Sequence, residues 1–149
     1  RISLIISHYY YGIKKYIAET NPECWKNFQS IRIPSISAKP EHHDDMLACA
    51  ERWAQLLLAA GADEALVMTF GCNPIVFGQK IVDPKAKTVL IYAHYDVMPA
   101  EPLELWKSNP FEPEVRDGHI WARGADDDKG STFIRGKGFL EYLVKEQPD

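Results

Sequence analysis

His94, Asp96 and Asp127 are the residues whose types and spacing point most directly to chemistry. His94-Tyr95-Asp96 follows the apolar run Val89-Leu90-Ile91-Tyr92-Ala93, so an imidazole and a carboxylate sit where an apolar strand gives way to a polar loop. In extended backbone, residues two apart point to the same side, which makes neighbours of His94 and Asp96. A neutral histidine binds a metal ion through one ring nitrogen, and a carboxylate on the other nitrogen fixes the ring. The triplet is weak by itself. Its place at the end of a strand strengthens it, because ligand sites in α/β proteins favour such ends.

The second candidate element is Arg123-Gly124-Ala125-Asp126-Asp127-Asp128-Lys129-Gly130. Three successive carboxylates repel one another unless a cation or solvent screens them. An acidic helix start explains one or two of them, through capping and the helix dipole. It explains less well the bracketing glycines, Gly124 and Gly130, which suggest backbone held tightly near a ligand or strand. Imidazole and carboxylate gathered at strand ends are what a hydrolytic divalent-metal site needs.

The elements that must position these groups read as α/β. Residues 9–20 have a helical pattern, and Asn21-Pro22-Glu23 starts a further helix through Trp25 and Phe28 to about Ile31. Arg32 to Ser37 is an extended connection, since Pro34 disfavours helix at Ile33. A helix from Asp44 or Asp45 carries Leu47, Ala50, Ala54, Leu57 and Leu58 at helical spacing, and Gly61 stands where a cap is expected. Leu66–Phe70, Ile75–Gln79 and Thr88–Ala93 are predicted strands. Val89–Ala93 lacks polar alternation, as expected of a strand covered on both faces. Asp117-Gly118 between Glu114-Val115-Arg116 and His119-Ile120-Trp121 predicts a tight hairpin. Helical spacing returns after Asp128 through Phe133, Gly136, Leu140 and Leu143.

The bulk composition bounds the function classes. At 149 residues, with 46% hydrophobic and 26% charged, the chain suits one globular domain with a substantial core. A net charge of −4 gives no electrostatic reason to expect nucleic acid. Cys24, Cys49 and Cys72 are odd in number and form no C-x-x-C pair, which argues against a disulfide framework and for a reducing, cytoplasmic location. Ile2–Ile6 is too short to span a bilayer, so no membrane partner is expected. The chain begins at Arg1, and an upstream targeting segment would be invisible in it.

Other eye-catching residues have plain readings. His42-His43-Asp44-Asp45 precedes the apolar periodicity and reads as a solvated helix start. His119 reads as an exposed strand residue, and His8 as part of an irregular start. Cys72 has no base nearby in sequence and is not a nucleophile candidate. Trp106 and Phe111 are expected to pin the loop between the candidate ligands, and Lys129 to pair with a neighbouring acid. Gly136 and Gly138 should each weaken the last helix by about 1 kcal/mol relative to alanine.

Several segments in order carry a more specific resemblance. These are Val89-Leu90-Ile91-Tyr92-Ala93-His94-Tyr95-Asp96-Val97-Met98-Pro99, Trp106 with Asn109-Pro110-Phe111-Glu112-Pro113, Asp117-Gly118 with Ile120-Trp121, and Ala122-Arg123-Gly124-Ala125 leading into Asp127-Asp128-Lys129-Gly130. Together they resemble the M20 family of co-catalytic zinc peptidases, in particular its cytosolic dipeptidase branch related to carnosinases. The likeness covers roughly residues 13–149.

The resemblance implies a zinc-exopeptidase-type α/β catalytic domain, its mixed, mostly parallel sheet flanked by helices. Residues 1–149 would be the N-terminal portion of that domain. His94 would ligate one metal, Asp96 would serve catalysis by steadying its imidazole, and Asp127 would bridge two metals across a cis peptide to Asp128. Asp126 and Asp128 match no ligand position. The implied cofactor is Zn2+, two per complete site, with Mn2+ as an alternative. The implied partner is a small peptide substrate. The family's glutamate base, two further ligands and the lid domain used for homodimerisation match nothing in these 149 residues. The expectation is therefore a chain that binds zinc weakly and does not turn over peptides alone. The alternatives are a shortened, catalytically incompetent paralogue acting as a metal-binding or partner-binding module, and an α/β binding domain without metal.

Overall fold

A helix needs a start that meets its unpaired N–H groups and an apolar stripe to bury. The computed structural model, which describes residues 29–85, 87–117 and 119–145, has both at helix α1, His43–Ala59. A 3-10 turn at Pro40–His42 leads into it, and Asp44 and Asp45 complement the dipole of its first turn. His42 Nδ1 lies 2.6 Å from Asp45 Oδ2, while His43 and Asp44 face solvent, so this histidine–aspartate cluster is the solvated start its sequence indicates. The helix ends where Gly61 takes φ +99° and the Ala62 N–H donates to Leu57 O at 3.0 Å.

The buried stripe of α1 is Met46, Cys49, Ala50, Trp53, Ala54 and Leu56. This corrects the expected stripe by about one position. Leu47 is only half-buried and Leu58 is 50% exposed. Apolar residues occupy so much of this helix that two overlapping stripes fit its period, and the one bearing Met46 and Trp53 buries more surface.

Strands β1 (Glu64–Met68) and β2 (Ile75–Gln79) form an antiparallel pair, with Glu64 opposite Gln79, Leu66 opposite Phe77 and Met68 opposite Ile75. Strands β3 (Glu114–Arg116) and β4 (His119–Trp121) form a second, in the register expected around Asp117. Asp117 has φ +51°, a conformation aspartate tolerates in tight turns. The helical end of the chain runs through α2 (Lys129–Thr132), a π-helical turn at Phe133–Gly138 and α3 (Phe139–Lys145). Gly136 and Gly138, which favour helix least, both lie in the π turn.

A mostly parallel sheet is not what the described residues form: both sheets are antiparallel and two-stranded. The predicted strand Thr88–Ala93 is not hydrogen-bonded into either sheet. It is not covered on both faces, since Val89, Leu90 and Tyr92 are 70%, 89% and 82% exposed. Strand character in the sequence supplies β propensity, but a strand also needs a ladder partner, and none is provided among the described residues. The architecture is thus helices packed with small antiparallel sheets.

The core joins the elements that carry the candidate residues. Ile31, Cys49, Trp53 and Leu56 are buried together, with Ile33, Val76, Tyr95, Ala122, Ala125 and Phe133 packed on them. One cluster therefore anchors the segments on either side of His94, Asp96 and Asp127. The helix predicted over residues 9–20 and the next one up to Phe28 lie outside the described residues, as do His8 and Cys24, and the predicted end of that second helix near Ile31 falls in a 3-10 turn, Gln29–Arg32. No helix among the described residues is long and apolar enough to cross a membrane.

Candidate metal-ligating site

The segment 94–97 is held in place by polar contacts with chain far away in sequence. Ser35 Oγ donates to Tyr95 O at 2.8 Å, and the Val97 N–H donates to Ser35 O at 2.9 Å. The Tyr95 hydroxyl donates to Pro74 O at the base of β2, and burial pushes the phenol pKa up to about 12. On the other side, Thr132 Oγ1 donates to His94 O at 3.0 Å. Asp128 Oδ2 accepts a long bond from the His94 N–H at 3.4 Å. The backbone of His94 is thereby fixed from two directions.

The acidic loop is shaped by its glycines. Gly124 adopts φ +80°, and a Cβ there would lie 2.7 Å from Val97 Cγ1. At Gly130 a Cβ would lie 1.9 Å from Ala125 O, a backbone atom that cannot move aside cheaply. The tight backbone that these glycines suggest in sequence is thus present, and it brings the loop against segment 94–97. The Asp127–Asp128 peptide is cis, as the resemblance implies.

Lys129 does not pair with an acid. It is fully buried and its Nζ donates to Ser30 O at 2.8 Å and Ile33 O at 2.7 Å, tying the loop to the turn before the Arg32–Ser37 connection. Burial lowers its pKa, against the opposing influence of Cys49, Asp45 and Asp96. The carbonyl of Ser30 in the Gln29–Arg32 turn and that of Ile33 just after it need a donor, and the Lys129 ammonium, far away in sequence, supplies it.

Within this frame the three predicted residues converge. His94 Nδ1 lies 2.9 Å from Asp96 Oδ1, and His94 Nε2 lies 3.2 Å from Asp127 Oδ1. Ser37 Oγ donates to the other carboxylate oxygen, Asp96 Oδ2, at 2.5 Å. The Asp127 side chain is 85% exposed, whereas those of His94 and Asp96 are 42% and 38% exposed, so the ring stands at the rim and the carboxylate reaches outward. Asp128 is taken up by Arg135, Thr132 and the His94 N–H, and Asp126 is exposed. Burial works against protonation of His94, but its bond to Asp96 and the charges of Asp96, Asp128 and Asp127 outweigh that and raise its pKa.

The donor set suits a divalent ion of borderline softness, having one imidazole nitrogen and one carboxylate oxygen. A tetrahedral zinc with bonds of about 2.0 Å separates its donors by about 3.3 Å. The 3.2 Å between Nε2 and Oδ1 matches that span, while Asp96 occupies the nitrogen that must not ligate. Among the described residues no cluster of three or more His, Cys, Asp or Glu side chains is arranged to hold a metal.

An imidazole–carboxylate pair backed by a second carboxylate is a donor arrangement that metal-assisted hydrolases use. Comparison with known proteins makes this specific. Residues 90–146 match the model of Peptidase family M20/M25/M40. It is 35% identical over 100 residues to a Cysteinylglycine-S-conjugate dipeptidase from Corynebacterium striatum, covering 67% of this chain and 22% of that protein. It is 46% identical over 67 residues to a Succinyl-diaminopimelate desuccinylase from Azoarcus, covering 43% of this chain and 17% of that one. Its fold resembles the solved structure of the dipeptidase Dug1p from Saccharomyces cerevisiae, with a TM-score of 0.77, 22% identity, and coverage of 95% of this chain and 33% of the other. The chain spans about a fifth of the length of these curated relatives.

Sequence reasoning missed Ser35, Ser37 and Thr132, whose hydroxyls hold the segment around the ring. The one signal for the serines is their spacing two apart in a connection read as extended, which puts both hydroxyls on one side. Thr132 carries no such signal. Trp106 does pin the intervening loop, donating from Nε1 to Ala100 O at 2.8 Å beneath the Arg123 guanidinium. His119 is exposed in β4, and Cys72 is exposed and free.

Proposed function

We propose that this chain contributes the first part of a dinuclear metal site that hydrolyses dipeptides or short peptides. The carrying observation is the convergence of His94 Nε2 and Asp127 Oδ1 at 3.2 Å, with Asp96 behind the ring. His94 Nε2 and the exposed carboxylate of Asp127 are the groups that would hold the metal. Asp96 accepts the Nδ1 proton and keeps Nε2 as the ligating atom. Zinc, or manganese in its place, polarises the scissile carbonyl and lowers the pKa of a bound water when present.

The residues of this chain supply binding and orientation, and no side chain among the described residues stands as a general base at the site. Two protein ligands are fewer than the three of a typical catalytic zinc site, which favours a chain that is inactive by itself. The remaining ligands, the base and the lid domain through which the family dimerises belong, on this reading, to polypeptide outside these 149 residues. In the complete domain Val89–Ala93 is a strand of the mostly parallel sheet. Likeness to dipeptidases on one side and a desuccinylase on the other leaves amide hydrolysis as the shared chemistry. That only two candidate ligands converge among the described residues favours one second reading, that of a metal-binding module without turnover.

Purified chain is assayed with dipeptides in added zinc or manganese, alongside metal titration. The proposal expects measurable metal binding that Asp127→Ala abolishes, and no turnover. Robust hydrolysis abolished by Asp127→Ala would overturn the claim that the site is partial, and absence of metal binding would overturn the site itself.

A further inference from the structure

Asp96 has two carboxylate oxygens with different partners, and the second partner is unexplained by metal binding alone. Oδ1 faces His94 Nδ1 at 2.9 Å, and Oδ2 accepts from Ser37 Oγ at 2.5 Å. A carboxylate on a single bond to a ring nitrogen rotates about its terminal torsion, which is broad. A second bond at the other oxygen stops that rotation and fixes the plane in which the ring must lie. Ser37 is itself placed by its neighbours. Two residues earlier, Ser35 is buried and bonded to both Tyr95 and Val97 by its hydroxyl and its carbonyl, so the segment 35–37 runs alongside 95–97.

We propose that Ser37 is a positioning residue that acts through Asp96 to set which nitrogen of His94 carries the proton. Its hydroxyl donates a hydrogen bond to Oδ2, which leaves Oδ1 to accept from Nδ1–H and Nε2 as the nitrogen available to a cation shared with Asp127. The reach of the site thus extends to the Arg32–Ser37 connection, 59 residues earlier in sequence than Asp96. The inference rests on the metal-site reading above, yet its first test needs no metal.

The experiment measures the ring 15N shifts of His94 in the metal-free chain, at a pH where the imidazole is neutral. Wild type is compared with Ser37→Ala, Ser37→Cys and Ser37→Thr, and zinc affinity is then measured by competition with a chromophoric chelator. Ser37→Ala and Ser37→Cys, which lack a strong donor, should move the shifts towards a mixture of tautomers and weaken zinc binding about tenfold. Ser37→Thr keeps the hydroxyl and should leave both within about twofold of wild type. Wild-type shifts in Ser37→Cys, or a Ser37→Thr variant as impaired as Ser37→Ala, would overturn the proposal. Circular dichroism identifies any variant that does not fold, and the Cys and Thr pair decides the matter if Ala is lost. Undetectable zinc binding with the expected shifts would sink the metal-site reading while leaving the positioning role intact.

Discussion

Two adjoining stretches of one segment differ sharply. From Val89 to Tyr92 the chain is apolar and exposed, and among the described residues no strand pairs with it. From His94 to Val97 nearly every polar group has a partner: Ser35, Ser37, Pro74, Asp128 and Thr132 all bond to it. The apolar half has the higher strand propensity, yet only the polar half is fixed. What positions the candidate ligands is therefore a set of long-range hydrogen bonds and two glycine-shaped contacts, and a sheet ladder is not required for it.

The largest expected effect comes from the contact that brings the acidic loop onto the fixed half. Gly130→Ala pushes a methyl into Ala125 O, and unfolding in urea should show a loss of about 3 kcal/mol or no folded state. A stability equal to wild type would mean the loop is not packed this way. Next comes Lys129→Met, which leaves Ser30 O and Ile33 O without their buried donor. A loss of about 2 kcal/mol is expected in the same measurement. Stabilisation instead would show that desolvating the ammonium costs more than its bonds return.

Much of this was legible in sequence where the determinants are local. The Asp117 turn, β2 and the helix from His43 follow from turn chemistry, alternation and capping, all read within a few residues. The proximity of His94, Asp96 and Asp127 was legible too, from the two-residue spacing of the first pair and the glycines that bracket the acid run. The bonds of Ser35, Ser37 and Lys129 were not. They span 59 to 99 residues, and no local pattern says which carbonyl or carboxylate a serine or lysine will meet. The described residues form no parallel sheet for a related reason: propensity describes a strand, but pairing depends on a partner that composition does not reveal.

Smaller effects sharpen the contrast. Ser35→Ala removes one buried bond to Tyr95 O and should cost about 1 kcal/mol, read as a shifted urea midpoint with unchanged slope. Leu90→Ser, on the exposed half, should change stability by no more than about 0.5 kcal/mol. A large loss there would show the apolar half to be packed in solution, and the contrast between the two halves would disappear.

Zinc affinity of the wild-type chain, His94→Ala, Asp127→Ala and the double variant tests the shared ion most directly. If both groups hold one cation, each single change weakens binding at least about tenfold, and the double change is little worse than either. Wild-type affinity in either single variant, or losses that simply add, would contradict it.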